Sequence, residues 1–328
     1  MTAVTGGERV PPEFLLGALE PPVKVRHIPL KVPVESFRQR HVGETMRCVM
    51  SVATGAVALL LLSGHRACPP SLEDTSAVSN TGGRPPVEQL RVKVLQSLPH
   101  DPRASTQGLE MADGRLYEST GGYGESAVTA GPAGKAPTAR AQLPALMFGE
   151  GITVVGPTLW QLTWRDGIAV ERDGRTLAER RRVPYTGEGW GLCHRRRDDR
   201  LVMSDGSDRL TFRDPVTFAS TGTLTVTEYG HAVPGLNELE CAGSHTVYAN
   251  VYWTDRIVRI DTGTGMVTGS IDAAGLLTRA ERRNAGVLNG IAAIPGTDEF
   301  LLTGKLWPKM FRVRFVPDSG TRSSGDGL

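Results

Sequence analysis

One hairpin, written five times, constrains this chain more than any other feature. Its clearest copy is Phe148-Gly149-Glu150-Gly151-Ile152-Thr153-Val154-Val155, a Gly156-Pro157 turn, and Leu159-Trp160-Gln161-Leu162-Thr163-Trp164. An apolar run, a tight turn and a return run ending on an aromatic residue read as two antiparallel strands. Gln107-Gly108-Leu109 leads through Asp113-Gly114 to Leu116-Tyr117-Glu118-Ser119, and Trp190-Gly191-Leu192 through Asp198-Asp199 to Leu201-Val202-Met203-Ser204. Asn237-Glu238-Leu239 leads to Val247-Tyr248-Ala249-Asn250, and Asn289-Gly290-Ile291 to Phe300-Leu301-Leu302-Thr303.

A spacing of roughly 40–50 residues between copies is that of repeated four-stranded units. A second hairpin follows within most copies, most plainly Ile257-Val258-Arg259-Ile260-Asp261, a Gly263-Thr264-Gly265 turn and Met266-Val267-Thr268. Amphipathic helices are scarce. The pattern predicts an all-β chain folded as a five-bladed β-propeller. The fifth copy ends with a single further strand, Phe311 to Val316, so Leu90-Arg91-Val92-Lys93-Val94-Leu95 is expected to complete that blade and close the ring, removing an exposed edge.

The repeat also predicts a site. The opening positions of the five hairpins are Gln107, Glu150, Trp190, Asn237 and Asn289. Reflected through the turns, the closing positions are Gly121, Trp164, Gly206, Tyr252 and Lys305. Opening and closing residues of an antiparallel hairpin are neighbours, so all ten are expected around one mouth of the central channel. Polar side chains at the head of otherwise apolar strands are not what packing requires. Glu150, flanked by glycines and facing Trp164, is the candidate proton-transfer group, since desolvation raises a carboxylate toward neutrality.

The rest of the chain frames that domain. Residues 1–45 carry Pro11, Pro12, Pro21 and Pro22 without periodicity and read as a disordered or mis-started extension. Residues 46–68 hold an apolar run, Val49 to Leu62, which at about 14 residues suits a signal-peptide core better than a span of ~20. Small residues follow it, and Cys68 offers a lipid-anchoring alternative. Residues 69–89 are a linker, 90–316 the catalytic propeller and 317–328 a disordered tail. The protein is therefore expected to be exported, to meet a membrane only through its N-terminal segment, and to act as a monomer. A net charge of +2 carries no argument for nucleic acid. Of four cysteines, Cys193 and Cys241 fall in the domain. They stand one position apart in register on adjacent blades, so alternation along a strand predicts that they face different sides as free thiols.

The chain resembles the plant and bacterial glutaminyl-peptide cyclotransferases. The resemblance rests on Pro99-His100-Asp101-Pro102, Thr106-Gln107-Gly108-Leu109, Phe148-Gly149-Glu150-Gly151-Ile152-Thr153, Gly187-Glu188-Gly189-Trp190-Gly191-Leu192, Leu236-Asn237-Glu238-Leu239-Glu240, Leu288-Asn289-Gly290-Ile291-Ala292 and Thr303-Gly304-Lys305-Leu306-Trp307-Pro308-Lys309, in order along residues 90–316. It implies a five-bladed propeller that converts the N-terminal glutamine of a peptide or protein to pyroglutamate with release of ammonia. It implies that Glu150 is the catalytic carboxylate, that Gln107, Trp164, Trp190, Asn237 and Lys305 belong to the site, and that Phe148 lies beside the carboxylate. Tyr252 joins from the closing positions, and Trp307 is expected to face the pocket. Ser105 stands where the family carries a large aromatic, and Tyr252 where it carries tryptophan, so both bear on the pocket wall. The reading requires no cofactor, and no metal-ligand spacing is present, although a structural cation in the channel is compatible with it. Two other readings stay open: a metal-dependent propeller hydrolase or lactonase using Glu150, Asn237 and Asn289 as oxygen ligands, and a non-catalytic peptide-binding propeller.

Overall fold

The computed structural model describes residues 86–319. The expected extension 1–45, the export segment 46–68, most of the linker 69–89 and most of the tail 317–328 lie outside those residues.

Among the described residues the chain is all-β apart from one helical turn. It begins with β1 (Glu88–Pro99). Unit one follows as β2 (Thr106–Ala112), β3 (Arg115–Thr120), β4 (Ala127–Gly131) and β5 (Ala139–Gln142). Unit two is β6 (Gly149–Val155), β7 (Thr158–Thr163), β8 (Ile168–Asp173) and β9 (Glu179–Pro184). Unit three is β10 (Leu192–Arg195), β11 (Arg200–Ser204), β12 (Arg209–Arg213) and β13 (Ser220–Thr225), trailed by a ribbon of β14 (Thr227–Glu228) and β15 (His231–Ala232). Unit four is β16 (Leu236–Cys241), β17 (Thr246–Val251), β18 (Arg256–Asp261) and β19 (Val267–Asp272). After α1 (Arg279–Arg282), unit five holds β20 (Leu288–Ala293), β21 (Glu299–Gly304) and β22 (Lys309–Pro317).

Units one, two and three are separate four-stranded antiparallel sheets in chain order. Units four and five share one eight-stranded sheet, ordered β16-β17-β18-β19-β1-β22-β21-β20. β1 pairs antiparallel with β22 from Leu90↔Pro317 to Pro99↔Lys309, and parallel with β19 over Glu88↔Gly269 to Arg91↔Asp272. The third-to-fourth-strand turn repeats a local device in units two, three and four. Asp173, Asp214 and Asp261 each accept the backbone N–H of a threonine three residues on, at 2.8, 2.7 and 2.9 Å. An aspartate that bonds its own following backbone is a turn former in its own right.

The first strands β2, β6, β10, β16 and β20 touch one another in cyclic order, and the units stack face to face around them. Apolar rows on facing sheets fill the seams. Tyr117, Val128, Ile152 and Leu159 lie between units one and two, and Trp160, Leu192, Leu201 and Phe218 between two and three. Val202, Phe212, Leu239 and Val258 lie between three and four, and Ile257, Ile291, Phe300 and Trp307 between four and five.

This stacking overturns the expectation of free thiols. Cys193 and Cys241 form a disulfide with Cα atoms 5.4 Å apart. The two side chains do leave opposite faces of their own sheets, as alternation requires. In stacked sheets, however, the face of unit three that looks toward unit four meets the face of unit four that looks back. Opposite faces of adjacent sheets share one space, so the same offset brings the sulfurs together.

The heads of four of the five first strands are irregular. The register shifts between Thr106 and Gly108, Gly149 and Ile152, Leu236 and Leu239, and Leu288 and Ile291. Such a bulge re-aims one side chain out of the ladder, here the opening residue. The glycine after it is needed for close approach of the next sheet. A Cβ on Gly151 would lie 2.6 Å from the Leu192 amide nitrogen, and one on Gly191 2.2 Å from the Asn237 carbonyl oxygen. Unit four alone lacks this glycine. Glu238 occupies the position, fully buried, and accepts the backbone N–H groups of Leu109 at 3.1 Å and Ile291 at 2.8 Å. It ties unit four to units one and five.

Candidate functional site

Opening and closing positions do come side by side. Gly121, Trp164, Tyr252 and Lys305 each donate their backbone N–H to the residue two before an opening position: Ser105 (2.9 Å), Phe148 (2.9 Å), Gly235 (2.8 Å) and Val287 (3.0 Å). The repeated bond brings the heads of units one, two, four and five to one end of the axis, and Trp190 joins them from unit three.

A cavity of about 120 Å³ lies there, lined by Gln107, Phe148, Glu150, Trp164, Trp190, Asn237, Tyr252 and Lys305. That volume is small beside the several hundred Å³ of pockets that hold drug-sized ligands, and it suits one side chain of a larger substrate. Four aromatic rings form its walls. Phe148 packs on Trp164 at 5.6 Å between centroids, and Trp190 meets Tyr252 edge-on at 5.2 Å. The Lys305 ammonium lies 5.4 Å from the Tyr252 ring centre.

Trp307, expected at the pocket, is not in its lining. Its indole is fully buried in the seam between units four and five and donates to the Gly286 carbonyl at 3.0 Å. It braces the turn that carries Lys305. Asn289 is also outside the lining. Its amide nitrogen donates to the Thr106 carbonyl at 3.0 Å and to Gln107 Oε1 at 3.3 Å. The trio of oxygen ligands named for a metal-dependent hydrolase is thus not gathered on the cavity. Among the described residues no cluster of three His, Cys, Asp or Glu side chains is arranged to hold a metal ion.

Electrostatics single out Glu150. Burial holds its carboxyl well above the usual carboxylate range; Lys305 pulls it down and Glu188 pushes it up. Burial likewise lowers the Lys305 ammonium, with Glu150 acting against that shift. Gln107 has its Oε1 engaged by Asn289, which leaves its Nε2 as a donor. Asn237 leaves Oδ1 buried without a partner.

Sequence reasoning left Glu188 out of the site. Its Oε2 accepts both indole N–H groups, from Trp164 at 2.8 Å and Trp190 at 3.0 Å, while Oε1 takes Arg165 Nε at 2.9 Å. One carboxylate thus fixes two walls of the cavity. Burial would raise its pKa, but the bonds from Trp190, Arg165 and Trp164 hold it below its ordinary value. The Gly187-Glu188-Gly189 run was a visible signal, without a visible partner. Gly206, one of the closing positions, leaves room for a cavity wall: a Cβ there would lie 2.6 Å from the Trp190 ring.

The glutamine cyclotransferase family model matches residues 68–315. The chain belongs to that family. Glutamine cyclotransferase relatives include the glutaminyl-peptide cyclotransferase of Arabidopsis thaliana, 36% identical over 231 residues that cover 68% of this chain and 71% of the plant protein. The crystal structure of Myxococcus xanthus glutaminyl cyclase is similar with a TM-score of 0.63 and 37% identity, covering 70% of this chain and 99% of that one.

Proposed function

We propose that this glutamine cyclotransferase cyclises the N-terminal glutamine of peptides and proteins to pyroglutamate, with Glu150 as the proton shuttle. One observation carries the reading: a raised carboxylate, a lysine and two side-chain amides, Gln107 and Asn237, converge on a cavity the size of one side chain, walled by four aromatic rings. We read the five stacked units as the blades of a propeller, with β1 closing the ring. The Cys193–Cys241 disulfide together with the apolar segment in residues 46–68 supports an exported protein, since such bonds persist in oxidising compartments.

In this reading the glutamine side chain enters the cavity and its neutral α-amine turns back onto the γ-carboxamide carbon. Glu150 accepts a proton from the attacking amine as the new C–N bond forms. It returns that proton to the carboxamide nitrogen as the old C–N bond breaks and ammonia leaves. Gln107 Nε2 and the Lys305 ammonium bind the oxygen on which charge develops, while the Asn237 carboxamide helps to orient the substrate. Donors of this kind are each worth ~2.7–4 kcal/mol in a water-excluded site. Phe148, Trp164, Trp190 and Tyr252 keep water from competing with the amine. The scheme uses only these side chains, so metal chelators are expected to leave turnover in place.

The test is ammonia release from a short Gln-initiated peptide by the purified protein. A product lighter by one ammonia supports the proposal. No ammonia, or a product in which water has replaced it, refutes cyclisation.

A further inference from the structure

A second cavity lies beside the first and is not used by the chemistry above. It is an open groove of about 840 Å³ in the seam between units one and five. That seam has the smallest apolar filling: Leu109, Leu116, Ala292, Leu301 and Met310, with Leu116 and Met310 forming part of the groove. The groove opens at the mouth. Gly121 lines it, and a Cβ on Gly121 would touch the Phe148 ring at 2.1 Å and Gln107 Nε2 at 2.8 Å, both walls of the catalytic cavity. One residue therefore separates the two spaces, and Ser105, which accepts the Gly121 N–H, lines the groove beside it.

The charges along the groove are unevenly matched. His100 pairs with Glu118 at 2.9 Å and Arg103 with Asp101 at 3.0 Å. Glu125, Lys135 and Arg140 are exposed and form no ion pair with any described residue. Glu125 lies at the mouth end, while Arg140 and Lys135 lie farther along. The strand register sets the distance. Thr120, Ala127 and Gln142 form the cross-strand row next to Gly121, and Glu118, Thr129 and Arg140 form the row two residues deeper. Arg140 is thus three residues along the strand direction and two strands across from Gly121, about 10 Å by about 10 Å, or roughly 14 Å in all. An extended peptide leaving the cavity would bring its fourth or fifth residue to Arg140 and later ones to Lys135, on the loop beyond β4.

We propose that this groove binds the substrate chain that follows the N-terminal glutamine, and that Arg140 and Lys135 select acidic side chains from about the fourth residue onward. The inference rests on the cyclase reading of the cavity. It is tested with three substrates: glutamine amide, which needs the cavity alone, and two hexapeptides beginning Gln-Ala-Ala and ending in three aspartates or three lysines. The acidic peptide should show a kcat/KM roughly three- to tenfold above the basic one at low ionic strength, as two exposed charges allow, and high salt should erase the difference. The Lys135→Glu, Arg140→Glu double variant should reverse the preference. Its turnover of glutamine amide reports whether it is folded. Equal turnover of the two peptides by the unaltered protein, or an unchanged preference in the variant, overturns the groove inference. Failure of all three substrates would instead remove the cyclase reading, and this inference with it.

Discussion

The two ends of the central axis bury carboxylates for opposite ends. At the mouth, Glu150 opens onto a cavity and shares it with Lys305. Three residues beyond Gln107 and Asn237 along their strands, Glu110 and Glu240 sit buried near each other. Burial raises Glu110 to about 7 and Glu240 well above its ordinary value, Glu110 adding to the latter. Glu110 accepts the Thr153 hydroxyl at 3.0 Å, a tie between units one and two. Next to Glu240 lies Cys241, locked to Cys193. A raised pKa alone therefore does not mark a catalytic group. A cavity distinguishes the mouth, whereas the other end has cross-links; charge does not separate them, since Arg196 lowers Glu110 and Glu240 as Lys305 lowers Glu150.

If that division holds, changes at the mouth alter turnover and changes at the other end alter stability. The largest effect is expected from Glu150→Gln, which should lower kcat by the ~10²–10⁴ typical of a lost general acid–base group. Thermal unfolding should show the protein intact. Near-normal cyclisation by the folded variant would end the role assigned to Glu150.

Cys193→Ser should cost about 2–4 kcal/mol of stability, read by urea titration under oxidising conditions, with kcat at room temperature little changed. A large loss of turnover in the still-folded variant would mean that the two ends are coupled.

Lys305→Met should lower kcat/KM by roughly tenfold to a hundredfold and also move the acid limb of the kcat profile. Removing the positive charge that holds Glu150 down raises its pKa, so the limb shifts to higher pH. Glu188→Gln should shift it the other way, because it removes the negative charge that pushes Glu150 up. It should also loosen Trp164 and Trp190, visible as altered tryptophan fluorescence. Limbs that stay put in both variants would separate Glu150 from the observed pH dependence.

The smallest effect belongs to Glu110→Gln. A carboxyl raised from 4.5 unfolded to about 7 folded favours the fold when protonated. That contribution is complete below the unfolded value and is lost as pH rises through about 7. The glutamine variant should therefore gain a few degrees in Tm at pH 8, at roughly 2–4 °C per kcal/mol, with turnover unchanged. A variant less stable at pH 8 than the unaltered protein would show that the ionised carboxylate has a partner worth more than its burial costs.

The placement of residues at the mouth was legible because each hairpin repeats locally. The opening and closing positions could be counted from the turns, and seven of the ten line the cavity. Glu188 was less legible because its role consists of bonds to two indoles held by different strands. Asn289 was read with Asn237 because both head equivalent strands. Their separation depends on which neighbour their amides meet: Asn289 Nδ2 donates to Thr106 and Gln107, while Asn237 lines the cavity.

What this sequence determined by itself is the strand content, the five-fold recurrence and the residue types that head each first strand. Those follow from alternating apolar residues and from turn formers acting over a few positions. Only the tertiary structure decided that Cys193 meets Cys241, that Trp307 is a brace rather than a wall, and that Glu188 holds two tryptophans. Each depends on how one sheet stacks on the next, and stacking distances are set by side-chain volumes and bulges from strands far apart in the chain.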